Sequence, residues 1–433
     1  MLNDDPPGPS RALVTRLVVE PSHPVSASVL PGEDPAGAAR IAAGAEIPME
    51  LLTRFGASVR QTHRRAGIVV VEVPEEHQEA LAAALRAAGF RARPPKPVGP
   101  LLNESVPELH IPPLWRAGLS GVGVRVAIVD TGCDEHRDLA GRIAARQNFG
   151  EGRDVDDVGH GTHVAGIVAG AGEMFRGVAP GSTLVIAKAL GAQGGSEDAV
   201  LAALSWASQQ DVAAINCSLG GPGDPNDPLS REVDALAADG ILVCVAAGNA
   251  GPADRTISSP GTAAAALTVG AADKEGRVAD YSSRGPVPGL RARKPDVLAV
   301  GGDVTRGEAC LYGTGVASAR AAVLARDPCA VTPAYVRMSG TSMATPHVTG
   351  LVALLIEASR AKTPQLTKIA RARAVRRAIV QGARSLGAGG AAEGAGLVDG
   401  ERSLALVGPR ARASAPAMSS SSPTIAKMGT NAK

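Results

Sequence analysis

Apolar residues in this chain follow two alternating patterns. Short continuous runs rich in Val, Ile, Leu and Ala have the length of buried strands, and they lie near 124–130, 183–189, 211–217, 241–247 and 266–271. Segments in which apolar residues recur every three or four positions indicate helices, near 160–170, 196–209, 228–239 and 342–358. Because strands that alternate with helices favour a mainly parallel sheet covered on both faces, the pattern predicts an α/β fold.

A smaller pattern precedes this alternation and predicts a separate α+β unit over residues 48–97. It consists of one helix and three strands, predicted at 75–88 and at 56–62, 67–73 and 90–93. Composition suggests that residues 1–47 are a disordered segment, that residues 98–408 are the main domain, and that residues 409–433 are a disordered tail.

Four polar residues lie where predicted strands end or predicted helices begin. Asp130 ends the first run and Asn249 follows the fourth, while His160 and Ser342 each begin a helix, the second of which tolerates Pro346 in its first turn. Reactive groups gather at the carboxyl ends of strands in open α/β sheets, and helix starts stabilise negative charge. A serine becomes nucleophilic when a histidine oriented by a carboxylate takes its proton. Taken singly, each of these residues is more often a cap or a turn former, so the inference depends on their combination.

Five short motifs surround these residues in one order along the chain. They are VAIVDTG, GHGTHVAG, SLGG, AAGN and SGTSMATPHVTG. With them the chain resembles the subtilisin-like serine proteases, the subtilase or peptidase S8 family, over about residues 103–408. The resemblance implies that Asp130 orients His160, that His160 is general base and then general acid, and that Ser342 attacks the peptide carbonyl. It also implies that Asn249 and the Ser342 N–H form the oxyanion hole.

The same resemblance implies a site for an extended peptide that adds to the sheet as a strand. Two walls and a base would form the pocket for the side chain that precedes the scissile bond. These are Ser218, Leu219 and Gly220 on one side, Ala246, Ala247 and Gly248 on the other, and Ser258 near the base. We expect no acidic residue in this pocket and therefore predict a preference for uncharged, apolar or medium-sized side chains.

The function implied by the resemblance is that of a serine endopeptidase made as a zymogen, with peptides or proteins as substrates. Residues 48–97 would be the propeptide, an inhibitor and folding template, and self-cleavage is expected between residues 98 and 104. Residues 302–337 form an insertion that compact family members lack. Two alternatives stay open: an inactive or self-inhibited subtilase-like binding protein, and a peptide-maturation acyl transferase that uses an amine instead of water.

Composition bears on partners and location. The chain has 44 Lys and Arg against 42 Asp and Glu, a formal net charge of +2, so we expect no nucleic-acid partner. No apolar run reaches the length of a membrane span. The first residues, MLNDDPPGPS, lack the basic start and apolar block of a signal peptide, which predicts a cytoplasmic protein, whereas the resemblance implies secretion as the alternative.

The chemistry inferred for these residues needs no cofactor. Zinc at His160 and His163 is disfavoured, because their spacing is not that of a zincin helix and no HExxH motif occurs. Structural calcium is a candidate, with Asp154, Asp156 and Asp157 as ligands, and a solvated acidic loop is the alternative.

The chain has five cysteines, an odd number that does not describe a disulfide scaffold. Cys133 follows Asp130 closely, and we expect a bulky thiol reagent there to inhibit the site. Cys310 and Cys329 bracket part of the insertion; two alternatives stay open, a disulfide between them in an oxidising compartment and two reduced thiols.

Overall fold

A computed structural model describes residues 14–21, 40–41, 45–63, 68–93, 102–303 and 314–407 of the chain. The chain divides into two compact units, Met1–Gly99 and Pro100–Lys433. Residues 409–433 and Cys310 lie outside the described residues. The predicted disordered tail and the predicted pairing of Cys310 with Cys329 therefore stay predictions. None of the helices in the described ranges is long and apolar enough to cross a membrane.

In its described residues, the N-terminal unit contains a four-stranded antiparallel sheet, a two-stranded sheet and two α-helices. Its elements are β1 (Val14–Pro21), β2 (Arg40–Ile41), β3 (Ala45–Glu46), α1 (Met49–Arg54), β4 (Ser58–His63), β5 (Ile68–Pro74), α2 (Gln78–Ala87) and β6 (Phe90–Arg93). Four strands form a sheet in the order β4-β5-β1-β6, and β2 pairs with β3. Val69, Val71 and Val73, which alternate along β5, are buried in one core with Leu81 and Leu85 of α2.

The prediction that residues 1–47 are disordered is wrong for β1. This strand lies in the middle of the sheet, between β5 and β6, and its residues Leu17 and Val19 are buried in the core of the unit. The sequence pattern missed it because its partners are far away along the chain. Without β1, β5 and β6 would have no common partner, so the unit begins earlier than predicted.

The second unit alternates strands and helices, as predicted. In chain order its elements are α3 (Leu102–Glu108), α4 (Pro112–Arg116), β7 (Arg125–Asp130), β8 (Ile143–Asn148), α5 (His160–Ala169), β9 (Thr183–Lys188), α6 (Glu197–Ser208), β10 (Ala214–Cys217), α7 (Pro228–Ala238), β11 (Leu242–Ala246), β12 (Leu267–Ala272), β13 (Val297–Val300), β14 (Val316–Ala319), β15 (Ala330–Thr332), β16 (Tyr335–Met338), α8 (Thr341–Lys362), α9 (Lys368–Gly382), α10 (Gly390–Glu393) and α11 (Gly400–Leu406).

A seven-stranded parallel sheet in the order β13-β12-β11-β10-β7-β9-β8 forms the centre of this unit. Helices cover both faces. Val126 and Ile128 of β7 belong to the core that includes α5 and α8, whereas Ala127 and Val129 belong to the core that includes α6 and α7. The predicted α/β fold is therefore confirmed.

Two strands of this sheet escaped the sequence pattern. β8 is only half-buried and carries the polar residues Arg146, Gln147 and Asn148, as an edge strand does. β13, the other edge strand, is only four residues long. Neither gives the long apolar run by which the five predicted strands were recognised.

The region interpreted as an insertion contains a small antiparallel sheet in the order β14-β16-β15. It lies against α5, because the Ser318 hydroxyl donates to the His163 carbonyl at 2.8 Å and His163 Nε2 lies 3.0 Å from the Val316 carbonyl oxygen. Burial lowers the pKa of His163 to about 3. His163 is therefore a neutral donor that fastens α5 to β14, and β16 then leads through Ser339 and Gly340 into α8.

Candidate active site

The carboxyl ends of β7, β10 and β11 bring three predicted site segments to one edge of the sheet. Cys217 of β10 is paired in register with Val129 of β7 on one side and with Val245 of β11 on the other. The residues that come next in these strands, Asp130, Ser218 and Ala246, therefore lie side by side. Asp130 reaches the start of α5 through His160, and Ser218 reaches the start of α8 through Ser342.

Asp130 and His160 form a hydrogen-bonded pair at this edge, in which the carboxylate is buried and the imidazole is partly exposed. His160 Nδ1 lies 2.7 Å from Asp130 Oδ1, and the side chains of Asp130 and His160 are 1% and 25% exposed. The Thr131 backbone N–H also donates to Asp130 Oδ1, at 2.7 Å. A carboxylate at Nδ1 favours the tautomer that carries its proton there, so Nε2 is the nitrogen left to accept one.

The environment of His160 sets its basicity. Burial lowers the pKa of this imidazole, but the charge of Asp130, the hydrogen bond to Asp130 and the charge of Asp156 together raise the pKa above the usual value. His160 therefore has a stronger affinity for a proton than a free histidine has, which suits a group that must take a proton from a hydroxyl.

Asp156 ties the end of β7 to the start of α5. Its Oδ1 accepts from the Thr131 hydroxyl at 2.8 Å and from the N–H groups of Gly159 and Val158 at 2.7 and 3.2 Å. Its Oδ2 accepts from the N–H and the hydroxyl of Thr162 at 2.7 and 2.6 Å. Because Gly159 and Thr162 flank His160 while Thr131 follows Asp130, this buried carboxylate fixes the two halves of the pair relative to each other.

The same contacts argue against calcium at the three candidate aspartates. The oxygens of Asp156 are occupied by N–H and O–H donors, and Asp157 pairs with the buried Lys188 at 2.6 Å. Asp154 is exposed. Within the described ranges, no group of three or more His, Cys, Asp or Glu side chains is arranged to hold a metal ion. The donor set does not fit a hard cation, which needs several free oxygens.

Ser342 and Ser218 exchange hydrogen bonds. The Ser342 hydroxyl donates to the Ser218 carbonyl at 3.2 Å, and the Ser218 hydroxyl donates to the Ser342 carbonyl at 2.8 Å. The second bond replaces one that α8 cannot make, because Pro346, four residues on, has no N–H. The sequence interpretation placed Pro346 in the first turn of the helix. This was wrong, because α8 begins at Thr341 and Pro346 lies beyond its first turn. The proline is tolerated because Ser218 satisfies the carbonyl it leaves free.

A buried polar chain fixes Ser218. Asn216 Nδ2 donates to the Ser218 hydroxyl at 2.9 Å, and the Thr349 hydroxyl donates to Asn216 Oδ1 at 2.8 Å. All of these side chains are buried. They link β10 to α8 and so hold Ser342 at the sheet edge.

Asn249 is oriented by the residue that begins α8. Its Oδ1 accepts from the Thr341 N–H at 3.0 Å and from the Thr341 hydroxyl at 2.9 Å. These two donors assign the amide orientation and leave Nδ2 as the group that can donate elsewhere. Asn249 is exposed, and Nδ2 lies near Gly340, where an added Cβ would be 3.4 Å away. The Asn249 Nδ2 amide, a hydrogen-bond donor, thus lies beside the start of α8, where Ser342 also lies.

The predicted pocket residues converge. The Ser258 N–H donates to the Ala247 carbonyl at 2.9 Å. A Cβ on Gly220 would lie 3.0 Å from Ser258 Cβ, and a Cβ on Gly248 would lie 2.5 Å from Ser258 Oγ. Ser258 therefore lies between the wall that contains Ser218, Leu219 and Gly220 and the wall that contains Ala246, Ala247 and Gly248. Gly248 has a φ of +107° and no room for a side chain, so only glycine fits that wall.

Sequence reasoning missed the residues that support these groups. Asn216 had a signal, a polar residue inside an otherwise apolar run, and Thr341 had one in its position directly before Ser342. The contacts of Asp156 were not recognisable, because an acidic loop residue that accepts backbone N–H groups cannot be told by sequence from a solvated one.

Comparison with known proteins gives a consistent result. The model of the subtilase family, peptidase S8, matches residues 121–398, which include Asp130, His160, Asn249 and Ser342. The chain belongs to the subtilase family. The subtilase match lies within the second compact unit, so the N-terminal unit falls outside it.

Two curated subtilase relatives illustrate the match. Serine protease AprX of Bacillus subtilis is 36% identical over 298 residues, 62% of this chain and 65% of the relative. Subtilisin Savinase of Lederbergia lenta is 34% identical over 305 residues, 69% of this chain and 98% of the relative. The chain thus spans slightly less than two thirds of AprX and nearly all of Savinase.

A solved structure agrees in fold. The chain is similar to a structure described as proteases from Pseudoalteromonas arctica PAMC 21717, with a TM-score of 0.57 and 26% sequence identity. That similarity covers 69% of this chain and 94% of the other.

Proposed function

We propose that this subtilase is a serine endopeptidase that hydrolyses peptide bonds through an acyl-enzyme on Ser342. The observation that carries the proposal is the pairing of Asp130 with His160 at 2.7 Å, one strand away from the Ser218 to which Ser342 is bonded. Subtilase membership and relatives named as serine proteases and subtilisins support the same reaction.

The first step is proton transfer from Ser342 to His160. In the resting arrangement the Ser342 hydroxyl donates to the Ser218 carbonyl. Rotation of the Ser342 side chain releases this bond and directs the hydroxyl to His160 Nε2, which takes the proton while Ser342 Oγ attacks the substrate carbonyl carbon. Asp130 holds Nδ1 and stabilises the imidazolium that forms.

The negative charge then develops on the substrate oxygen. Asn249 Nδ2 and the Ser342 N–H donate to it, and the start of α8 adds its positive end. When the tetrahedral intermediate collapses, the bond to the leaving nitrogen breaks, and His160 donates its proton to that amine. Water then gives a proton to His160 while its oxygen attacks the ester carbon. The bond from that carbon to Ser342 Oγ breaks, and His160 returns the proton to Oγ, which restores the Ser342 hydroxyl.

The proposed substrate is an extended polypeptide that lies along residues 218–220, with one side chain in the slot above Ser258. The lining of this slot by serine, leucine, alanine and glycine suits an uncharged side chain. A peptide with a basic residue there should be cleaved more slowly than its apolar counterpart.

We also propose that the N-terminal unit is a propeptide that self-cleavage removes between residues 98 and 104. The unit is compact by itself and lies outside the subtilase match, as a removable segment would. Wild-type chain should shorten from 43.6 kDa during purification, whereas Ser342→Ala should keep its full mass.

Hydrolysis of casein and of short peptides tests the proposed function. Wild type should be active, Ser342→Ala inactive, and Asn249→Ala slower in kcat by about 10²–10³. Ser208→Ala, at the end of α6, is the matched control and should behave as wild type. Hydrolysis by Ser342→Ala at the wild-type rate would refute the proposal.

A further inference from the structure

A turn in the insertion lies beside the candidate active site and has no role in the proposed reaction. It lies between β14 and β15 and includes a short 3-10 turn at Ala322–Leu324. We call the uncharged residues Ala321–Ala325 the rim turn. We propose that the rim turn is a wall of the substrate cleft and that Val323 selects an apolar side chain of the peptide substrate. This inference depends on the proposed function.

Contacts attach the rim turn to the segments that carry Asp130 and His160. Leu324 packs on Gly159, the residue before His160, so closely that a Cβ on Gly159 would lie 2.4 Å from Leu324 Cδ1. The Ala322 N–H donates to Asp134 Oδ2 at 2.9 Å. Asp134 in turn donates its own N–H to the Thr162 hydroxyl in the first turn of α5, at 2.9 Å. The rim turn therefore lies next to His160.

The rim turn is also held from behind. The Arg320 guanidinium donates to the carbonyls of Ala325 at 3.0 Å, of Leu324 at 3.4 Å and of Pro333. Ala321 is fully buried. A turn fixed at both ends presents a defined surface, so contact with a substrate would cost little ordering entropy.

Val323 is the largest apolar side chain that this fixed turn leaves in water, beside the small exposed side chains of Ala322 and Ala325. It is 54% exposed, while its neighbour Leu324 is turned onto Gly159. No charged residue occurs within the rim turn, so its surface suits an apolar partner rather than an ionic one.

Position identifies that partner as the substrate. A peptide whose carbonyl is attacked by Ser342 while His160 takes the proton must pass close to His160, and hence close to the rim turn. The slot above Ser258 lies at the ends of β10 and β11, whereas the rim turn lies on the β7 side. Val323 would therefore contact a different substrate side chain from the one in the slot.

Peptide libraries varied at three positions on each side of the scissile bond test the inference, with Val323→Asp compared with wild type. Val122→Asp is the matched control, because Val122 is 61% exposed and precedes the amino end of β7, at the opposite edge of the sheet. Val323→Asp should lower kcat/KM by about tenfold for peptides with an apolar residue at one position outside the slot. A loss of this size corresponds to the free energy gained by burying one apolar side chain. Peptides with a basic residue at that position should lose less or gain.

Labelling of Ser342 by a small fluorophosphonate separates specificity from damage. All three proteins should label at the same rate, because the probe is too small to reach the rim turn. Val323→Thr, which keeps the shape of valine, is the second variant in case the aspartate impairs folding. It should lower kcat/KM for peptides with an apolar residue at the same substrate position. An unchanged specificity profile in both Val323 variants would overturn the inference and leave the proposed function intact. A wild type that neither labels nor hydrolyses would overturn both.

Discussion

The hydroxyl of Ser342 donates to the carbonyl of Ser218, and the hydroxyl of Ser218 donates back to the carbonyl of Ser342. This exchange joins the end of β10 to the start of α8. The second of these bonds replaces one inside the helix, because Pro346 cannot supply the N–H that would otherwise satisfy the Ser342 carbonyl. A proline that looks like a helix defect is thus part of what positions the candidate nucleophile.

Removing the Ser218 hydroxyl should destabilise the protein by about 1–3 kcal/mol, because Ser218→Ala leaves the Ser342 carbonyl and Asn216 Nδ2 without a partner. In the background of Pro346→Ala, residue 346 has an N–H for that carbonyl, and Ser218→Ala should cost less by at least about 0.5 kcal/mol. Denaturant unfolding of the two single variants and the double variant measures this coupling. Equal costs in the two backgrounds would show that Ser218 does not compensate for the proline.

The rate should fall on acidification with a midpoint above the usual imidazole value of about 6.5. Neutral His160 is the base, and although burial lowers its pKa, Asp130 and Asp156 raise it by more. Activity is therefore lost as the pH falls through this raised pKa. The pH dependence of kcat/KM for an uncharged peptide measures the midpoint. Asp156→Asn should move it to lower pH and the exposed control Asp154→Asn should not, so a midpoint insensitive to Asp156 would contradict the electrostatic account.

Asp156→Asn should lower the free energy of unfolding by about 2–4 kcal/mol, because an amide nitrogen would face donors that the carboxylate oxygens now satisfy. Asp154→Asn should change it by less than about 0.5 kcal/mol. If the acidic loop is held by these donors rather than by calcium, EDTA should leave the Tm of the wild type unchanged. A Tm that falls with EDTA and recovers with calcium would show that a bound calcium ion stabilises the protein.

Cys133 should resist thiol reagents, contrary to the expectation from its position in the sequence. Its side chain is 1% exposed, and burial raises the pKa of the thiol to about 12, so little thiolate is available. Treatment of the native protein with a bulky maleimide should leave hydrolysis unchanged. Inhibition that disappears in Cys133→Ala would mean that the thiol opens to solvent.

The sequence predicted those parts of the fold that are determined by long local patterns. The five apolar runs became β7, β9, β10, β11 and β12, and the helices that begin at His160 and near Ser342 appeared within one residue of their predicted starts. β1 was missed because its pairing is non-local, and β8 because an edge strand is only half apolar. Local pattern carries no information about partners far along the chain.

The site divides in the same way. The motifs marked Asp130, His160, Asn249 and Ser342. Strand register brings the segments of Asp130 and Asn249 to one edge of the sheet, and hydrogen bonds with Asp130 and Ser218 bring His160 and Ser342 there. Their supports, among them Asp156, Asn216 and Thr341, act through hydrogen bonds between segments that only folding brings together. For that reason Asp156 was taken for a metal candidate, although its oxygens are occupied by the chain itself.

Fluorophosphonate labelling followed by peptide mass spectrometry tests the central claim, that Ser342 is an activated nucleophile, most directly. The account predicts one adduct, on Ser342, which is absent from Ser342→Ala and forms more slowly below the pKa of His160. No adduct on the wild type, or an equal adduct on Ser342→Ala, would contradict it.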